Sequence, residues 1–368
     1  MRDNFELNSF RNPIDAIFEL TVRCNLKCKM CMFRQNFTEK KELTADEWIK
    51  IAMDAAEMGT GSVLITGGEP LLRQDFAEIY EGIYKQGFII TLYTNATLVN
   101  DKIMSLLEKY PPHKIGISIY GASEDTYEKV CGNGKSFKKA VEGAKRLISL
   151  PSVVDFRTTI IDDNYDDAYK IDDLIKNEFG KEYSVTMTQM VLNSVRGGCA
   201  DVSSCRLSPE RNVLLPHQKA IEKLKEIIGE NFDIKNVRFS YKEKNTDCNN
   251  SEKEKFSLLG CSGGMRSYCV TYDGCLQACQ ALGQFTTDVR LSGLKKAWED
   301  FPEAVKLPPM NEKCKNCGIT DFCQCCPASR YAETGCVSGY PEYACMNAQI
   351  LCDLVERKVS NEVRETEN

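Results

Sequence analysis

Residues 21–31 read TVRCNLKCKMC, with Cys24, Cys28 and Cys31 spaced C-x3-C-x2-C. Cysteine thiolates are the ligands of iron–sulfur cubanes, and a complete 4Fe–4S site takes four of them. This run supplies three. Either another molecule takes the fourth iron, or the run is not a cluster site. The preceding residues, DAIFELTVR (15–23), alternate apolar and polar side chains and end at the first cysteine. That alternation predicts a β-strand with the three cysteines on the loop at its C-terminal end.

Working outward, strand patterns alternate with helix patterns. Thr44-Ala45-Asp46-Glu47 has the form of a capping box. It opens a helix with Trp48, Ile51, Ala52 and Ala55 inward and Gly59 as its stop. SVLIT (62–66) precedes a helix with Phe76, Ile79, Tyr80 and Ile83 on one face, ended by Gly87. FIITLYT (88–94) precedes a helix through Ile103, Leu106 and Leu107. KIGISIY (114–120) precedes one helix carrying Phe137, Ala140, Val141, Ala144 and Ile148. VVDFRTTII (153–161) and YSVTMTQMV (183–191) each lead into a further helix, the last over about 208–229. Six such units predict a parallel sheet with helices outside, an α/β fold of the partial (β/α)6 TIM-like barrel type. In barrels the chemistry sits at the C-terminal ends of the strands, where the three cysteines fall.

Composition narrows the class. The chain has 368 residues, 27% of them charged, and a net charge of −6, which argues against a partner bound through nucleic-acid phosphates. No apolar run is long enough for a membrane span, and the start lacks a signal-peptide layout, so a cytoplasmic protein with no membrane partner is expected. Nineteen cysteines against two histidines make thiolate-rich metal sites the expectation in a reducing compartment. Twelve of those cysteines lie between Cys261 and Cys352, after a polar stretch. The expected division is therefore a barrel over 1–232, a linker over 233–260, a cysteine-rich domain over 261–352 and a tail over 353–368.

The order Cys24-x3-Cys28-x2-Cys31 after strand one, then Thr66-Gly67-Gly68-Glu69-Pro70 after strand two, resembles the radical S-adenosylmethionine (SAM) superfamily. The resemblance covers roughly residues 14–230. It implies a 4Fe–4S cluster on the three thiolates, whose open iron is chelated by the amino and carboxylate groups of SAM. One-electron reduction then releases a 5′-deoxyadenosyl radical. The resemblance implies further SAM contacts. Gly67 and Gly68 would let the backbone approach the ligand, and Glu69 would accept from the SAM ammonium. Ser118 and Tyr120 would meet the ribose or carboxylate, with Asn95 after strand three. Arg157 would pair with the carboxylate and Met30 would border the adenine. For Asn95 and Arg157, a turn-forming Asn and a paired barrel Arg remain equal alternatives.

The later cysteines run Cys261-x12-Gly274-x4-Cys279, then Cys314-x2-Cys317-x5-Cys323-x2-Cys326, then x18 to Cys345. This is similar to the SPASM extension, which carries two auxiliary 4Fe–4S clusters and brings the total to three. By matching order, the first would take Cys261, Cys269, Cys279 and Cys326, and the second Cys314, Cys317, Cys323 and Cys345. Cys275 competes with Cys269, and Cys325 with Cys326. A zinc site on the two C-x2-C pairs is the alternative.

Members with this extension mostly modify peptides or proteins, and Tyr120-Gly121-Ala122-Ser123-Glu124 onward resembles the peptide-maturase branch. A ribosomally made peptide substrate, crosslinked or dehydrogenated, is the expectation, with a flavodoxin- or ferredoxin-type reductant. Too few residues precede the first strand for a leader-recognition domain, so the leader is expected to be held either by a separate leader-binding protein or by the barrel and auxiliary surfaces themselves. The sulfatase-maturing branch expects Pro-Cys-Asp where this chain has Ala278-Cys279-Gln280, and Gln cannot act as that base. Asp273 is the substitute candidate, although an Asp before Gly also makes turns. Formylglycine formation and dehydrogenation of a small molecule are the alternative activities. A non-enzymatic electron carrier would not need the Thr-Gly-Gly-Glu-Pro stretch.

Overall fold

The structure, a computed structural model, describes residues 11–33, 41–193, 202–229 and 257–365. The chain divides into two compact units. Among the described residues the first takes those up to Arg206 together with 257–306, and the second takes 207–229 and 307–365.

The first unit is built on strands β1 (Asp15–Glu19), β2 (Ser62–Thr66), β3 (Ile89–Thr94), β4 (Lys114–Ser118), β5 (Val153–Thr159) and β6 (Val185–Thr188), side by side in that order. All five pairings among them are parallel. Helices α1 (Ala45–Glu57), α2 (Phe76–Tyr84) and α3 (Asp101–Lys109) lie in the first three connections. The α1 N-terminus is the expected box: Thr44 Oγ1 accepts from the Glu47 N–H and Glu47 Oε2 from the Thr44 N–H at 2.7 Å. Trp48, Ile51, Ala52 and Ala55 of α1 are buried, as are Phe76, Ile79, Tyr80 and Ile83 of α2. Alternate strand residues such as Phe18, Ile65, Leu92, Ile117 and Phe156 are fully buried, which gives the sheet a helix-covered apolar face.

Three elements differ from the expectation. After β4 there are two helices, α4 (Glu124–Cys131) and α5 (Ser136–Leu147). Gly132 at φ 67° ends the first, and its left-handed backbone breaks the helical run. After α6 (Ala168–Phe179) and β6, the helix expected near 208–229 is α7 (Pro209–Leu214) and α8 (Gln218–Ile228), separated by a 3-10 turn over Leu215–His217 that carries Pro216. Those two helices belong to the second unit, not to the barrel.

The largest difference concerns the boundary placed at 261. Strand β7 (Ser267–Val270) pairs parallel to β1, with Ile17 opposite Cys269, and β8 (Cys275–Gln277) and β9 (Thr287–Asp288) extend the sheet antiparallel. The sheet thus has nine strands, with β6 and β9 at its edges. After the short helix α9 (Val289–Ser292), α10 (Leu294–Ala304) covers this extension. Buried Arg11 ties it to the first strand's lead-in: its guanidinium stacks on Trp298 at 4.0 Å and donates to Trp298 O at 2.7 Å and Gly264 O at 2.8 Å. Residues 257–306 therefore belong to the first unit, between the two stretches of chain that make up the second. The expected linker 233–260 falls almost wholly outside the described residues.

In the second unit, α11 (Glu312–Lys315) and α12 (Pro327–Thr334) precede α13 (Glu342–Glu365), which packs on α7. Tyr343 Oη donates to Leu207 O at 2.9 Å, and Asn212 Nδ2 to Asn347 Oδ1 at 2.9 Å. The tail expected from 353 is helical through 365. Among the described residues no helix is long and apolar enough to cross a membrane.

Candidate active site

Parallel pairing gathers the chemistry at the C-terminal ends of the strands. The Cys24–Cys31 loop leaves β1, Gly67–Pro70 leaves β2, Asn95 leaves β3, Tyr120 leaves β4, and Asp273 lies in the turn after β7.

The cysteine loop is fixed through its backbone on two sides. On one, the Gly68 N–H donates to Thr21 O at 2.7 Å and the Glu69 N–H to Arg23 O at 2.9 Å. A Cβ on Gly67 would collide with Thr21 O, and one on Gly68 would stand 2.6 Å from Val22 O. The two glycines thus let two loops of the protein meet. This supplies a chain-internal reason for residues that the sequence reading reserved for ligand approach. On the other side, the Lys27 and Lys29 N–H groups donate to Cys131 O and Val130 O at 2.9 and 3.0 Å, using carbonyls that the end of α4 leaves unpaired within the helix. Lys29 Nζ also pairs with Asp163 at 2.9 Å.

Within the loop the Leu26 N–H donates to Cys24 Sγ at 3.4 Å, and the Cys31 N–H to Cys28 O at 3.2 Å. Burial pushes the Cys24 thiol up to about 12, with Glu69, Cys28 and Cys31 adding to the rise. Metal ligation therefore requires that proton to leave. Among the described residues, no three Cys, His, Asp or Glu side chains already converge at metal-holding separation. The donor chemistry does fit an iron–sulfur group. Three soft thiols sit on one pinned loop, close enough to influence one another's charge.

Glu69 is buried at 1% exposure. Its carboxylate accepts from the Leu71 N–H at 3.1 Å, Thr94 Oγ1 at 2.8 Å and the Asn95 N–H at 2.7 Å. Removal from water nevertheless raises it to about 7, against the effect of those three bonds. With about four lone-pair sites on a carboxylate, room for one further donor remains. Asn95 holds the loop in place: Nδ2 donates to Asn25 Oδ1 at 3.0 Å, and Oδ1 accepts from Thr97. The next residue, Ala96, is buried with φ 59°, a left-handed backbone that a non-glycine residue adopts only under constraint.

Tyr120 stands near Cys28, Cys131 and Cys31. Burial first, then those cysteines, push its phenol well above the ordinary value, while a hydrogen bond with Ser118 opposes the rise. Arg157 lies opposite Ser118 in the sheet. Its guanidinium is 3.1 Å from Asp155 and 4.9 Å from the Tyr93 ring, so part of its charge is met inside the barrel. Met30 is buried at 8% exposure. Asp273 accepts from Thr271 Oγ1 at 2.5 Å in a turn where Gly274 has φ 88°. Asn25, Thr97 and Asn164, whose Nδ2 donates to Tyr120 O at 2.9 Å, were not singled out by the sequence reading. Asn25 had a visible signal, being inside the cysteine spacing. Asn164 had none.

Of the remaining thiols in the first unit, Cys261 is exposed and accepts from the Gly263 N–H at 3.4 Å. Cys269 is fully buried within β7, and Cys275 and Cys279 are half-buried. In the second unit Arg330 Nη1 donates to Cys314 Sγ at 3.0 Å and to Gly339 O at 3.0 Å. The Cys323 thiol is pushed down, mainly by its hydrogen bond with Cys325 and further by the Arg330 charge. Cys345 and Cys314 both act on the Tyr340 phenol and raise it to about 12. Cys326 N-caps α12, its N–H donating to Ser329 Oγ at 2.9 Å, and Cys325 Sγ lies 3.2 Å from the same oxygen. Four thiols, those of Cys314, Cys323, Cys325 and Cys345, are thus gathered by Arg330 and Tyr340. Cys317 belongs to the same unit and is half-buried.

Residues 18–175 match the Radical SAM superfamily. The chain is 26% identical to an AdoMet-dependent heme synthase of Methanosarcina barkeri, over 86% of this chain and 92% of that protein. It is 33% identical to the PqqA peptide cyclase of Bradyrhizobium diazoefficiens, over 40% of this chain and 39% of that one. Among solved structures, Streptococcus suis SuiB bound to precursor peptide SuiA aligns with a TM-score of 0.66 at 16% identity, over 93% of this chain and 78% of that chain.

Proposed function

Because the chain carries a radical SAM domain, with a cysteine-rich C-terminal region consistent with a SPASM domain, we propose that it is a peptide maturase that oxidatively crosslinks or dehydrogenates a ribosomally made peptide. The observation that carries this reading is the meeting of the Cys24–Cys31 loop, Gly67–Glu69, Asn95 and Tyr120 at the C-terminal ends of neighbouring parallel strands. Cys24, Cys28 and Cys31 would hold a 4Fe–4S cluster, which with SAM supplies a hydrogen-abstracting carbon radical when bound. Around it, Glu69 would offer its remaining lone pair to the SAM amino group. Ser118 and Tyr120 would hold the ribose or carboxylate, Arg157 would supply positive charge to that carboxylate, and Met30 would border the adenine. Cys314, Cys317, Cys323 and Cys345 of the second unit would hold a further cluster able to take up electrons. Asp273, in the turn after β7 where it accepts from Thr271 Oγ1, would be the proton-removing carboxylate. The peptide reading is supported by likeness to the PqqA peptide cyclase and to the fold of SuiB.

A second reading has its own support. The match to the heme synthase runs over more than twice as much of this chain as the match to the peptide cyclase. A small-molecule substrate of the porphyrin class is therefore the runner-up. Anaerobic incubation with SAM and dithionite, followed by mass spectrometry, separates the two. A candidate precursor peptide lighter by two hydrogens supports the first. An unchanged peptide together with turnover of a haem-precursor porphyrin overturns it in favour of the second. Formylglycine on a sulfatase-derived peptide, with both others unchanged, overturns both.

A further inference from the structure

In the second unit, one cation is fixed against a thiol by more than proximity. Arg330 sits in the first turns of α12, a helix that begins immediately after Cys326. Its Nη1 donates both to Cys314 Sγ and to Gly339 O, each at 3.0 Å. The backbone that carries this side chain is held as well. Thr334 Oγ1 donates to Arg330 O at 2.8 Å and also contacts the Cys336 carbonyl at 2.9 Å. Gly339 packs so tightly on Thr334 that a Cβ at 339 would lie 2.7 Å from Thr334 Cβ. The Arg330 backbone N–H in turn donates to Cys326 O at 3.0 Å. With its backbone held and its Nη1 bonded to both the sulfur and the Gly339 carbonyl, the guanidinium is a fixed charge, and not a surface arginine that happens to pass a sulfur.

We propose that Arg330 is a positioning residue for the cysteine site of the second unit, holding Cys314 Sγ through an N–H···S bond and raising the reduction potential of the group bound there. The proposal rests on the reading that Cys314, Cys317, Cys323 and Cys345 hold an iron–sulfur cluster. Hydrogen bonds to ligand sulfurs and nearby charge are among the factors that set the potential of such clusters. A donated N–H and a positive charge both favour the more negative, reduced state. Arginine suits the task because its guanidinium is always charged, weakly hydrated and planar, and the two N–H groups of Nη1 point in fixed directions, one to the sulfur and one to the Gly339 carbonyl. Partners that hold ligands in this way tune metal sites as well as shape them.

The test uses the full chain with Cys24, Cys28 and Cys31 replaced by Ala, so that any cluster signal comes from the later cysteines. Iron and acid-labile sulfide are measured first, then midpoint potentials by redox titration followed by electron paramagnetic resonance. Cluster present in this parent, with one midpoint more negative in Arg330→Leu and a smaller shift in Arg330→Lys, is the expected result. Cluster present with unchanged midpoints in both variants overturns the role of Arg330 while leaving the cluster reading intact. Should Arg330→Leu lose iron, Arg330→Lys decides alone by the same criterion. A parent that holds zinc, or no iron and sulfide at all, overturns the cluster reading and with it the proposal.

Discussion

The Cys24–Cys31 loop and the cysteines between 314 and 345 are held by different means. In the first, the bonds that tie the loop to its neighbours on two sides are backbone bonds. They come from Gly68 and Glu69 of the loop after β2 and run to Val130 and Cys131 at the end of α4, and α4 buries Tyr127, Val130 and Cys131 on a face of its own. In the second, the thiols are partners of one another, of Arg330 and of Tyr340. The helices α11 and α12 around them are only 4 and 8 residues long. A loop placed by its scaffold can present thiols ready-spaced, whereas a region whose contacts are the thiols themselves draws its order from whatever those thiols bind.

The largest way to test that contrast is to remove thiols from the first region alone. Replacing Cys24, Cys28 and Cys31 by Ala should cut iron by about four per chain and bring 5′-deoxyadenosine formation to background. The thermal unfolding of the barrel should hardly change. A large fall in unfolding temperature would break the contrast, because it would mean that the thiols themselves hold that loop.

Next in size is Gly68→Ala. The new methyl group meets the Val22 and Arg23 carbonyls, which are backbone and cannot turn aside. A loss of about 3 kcal/mol in denaturant unfolding is expected, at the upper end for overpacking. A neutral result would show that the two loops are not in the contact described.

The finest probe is pH. Glu69 titrates near 4.5 when unfolded and at about 7 when folded, so between those values the folded protein keeps a proton that the unfolded chain has released. Its contribution to stability is fully present below about 4.5 and is lost as pH rises through about 7. Relative to Glu69→Gln, the parent should lose stability over that window with a slope of at most about 1.4 kcal/mol per pH unit. Parallel curves for the two proteins would show that the buried carboxyl does not titrate there.

Local pattern made much of the first region legible. Alternation marked the strands, Thr44 and Glu47 marked the start of α1, and the position of Cys24 after a strand gave the reactive end of the strands. The reading missed what depends on partners far away in sequence. Strand β7 is four residues, SYCV, too short to show a period, and its identity comes from pairing with β1 some 250 residues earlier. The reason for Gly67 and Gly68 was equally hidden, because the atoms they would strike belong to the other loop. The break between α4 and α5 was visible in Cys131-Gly132-Asn133-Gly134, where two glycines flank an asparagine. In the second unit, Arg330 carried no signal at all, since only folding brings it to Cys314.

The pairing of β1 with β7 also sets a timetable. One side of β1 is satisfied by β2 as soon as residue 66 is available, but the other waits for residue 270. At a synthesis rate of roughly 5–20 residues per second, that interval is on the order of ten seconds or more. Throughout it the strand leading to the cysteine loop presents a row of unpaired amides and carbonyls, the kind of edge on which chains add to one another. The newly made barrel is therefore most vulnerable to aggregation at the strand that bears its chemistry, and the arrival of a short segment from far downstream ends that exposure.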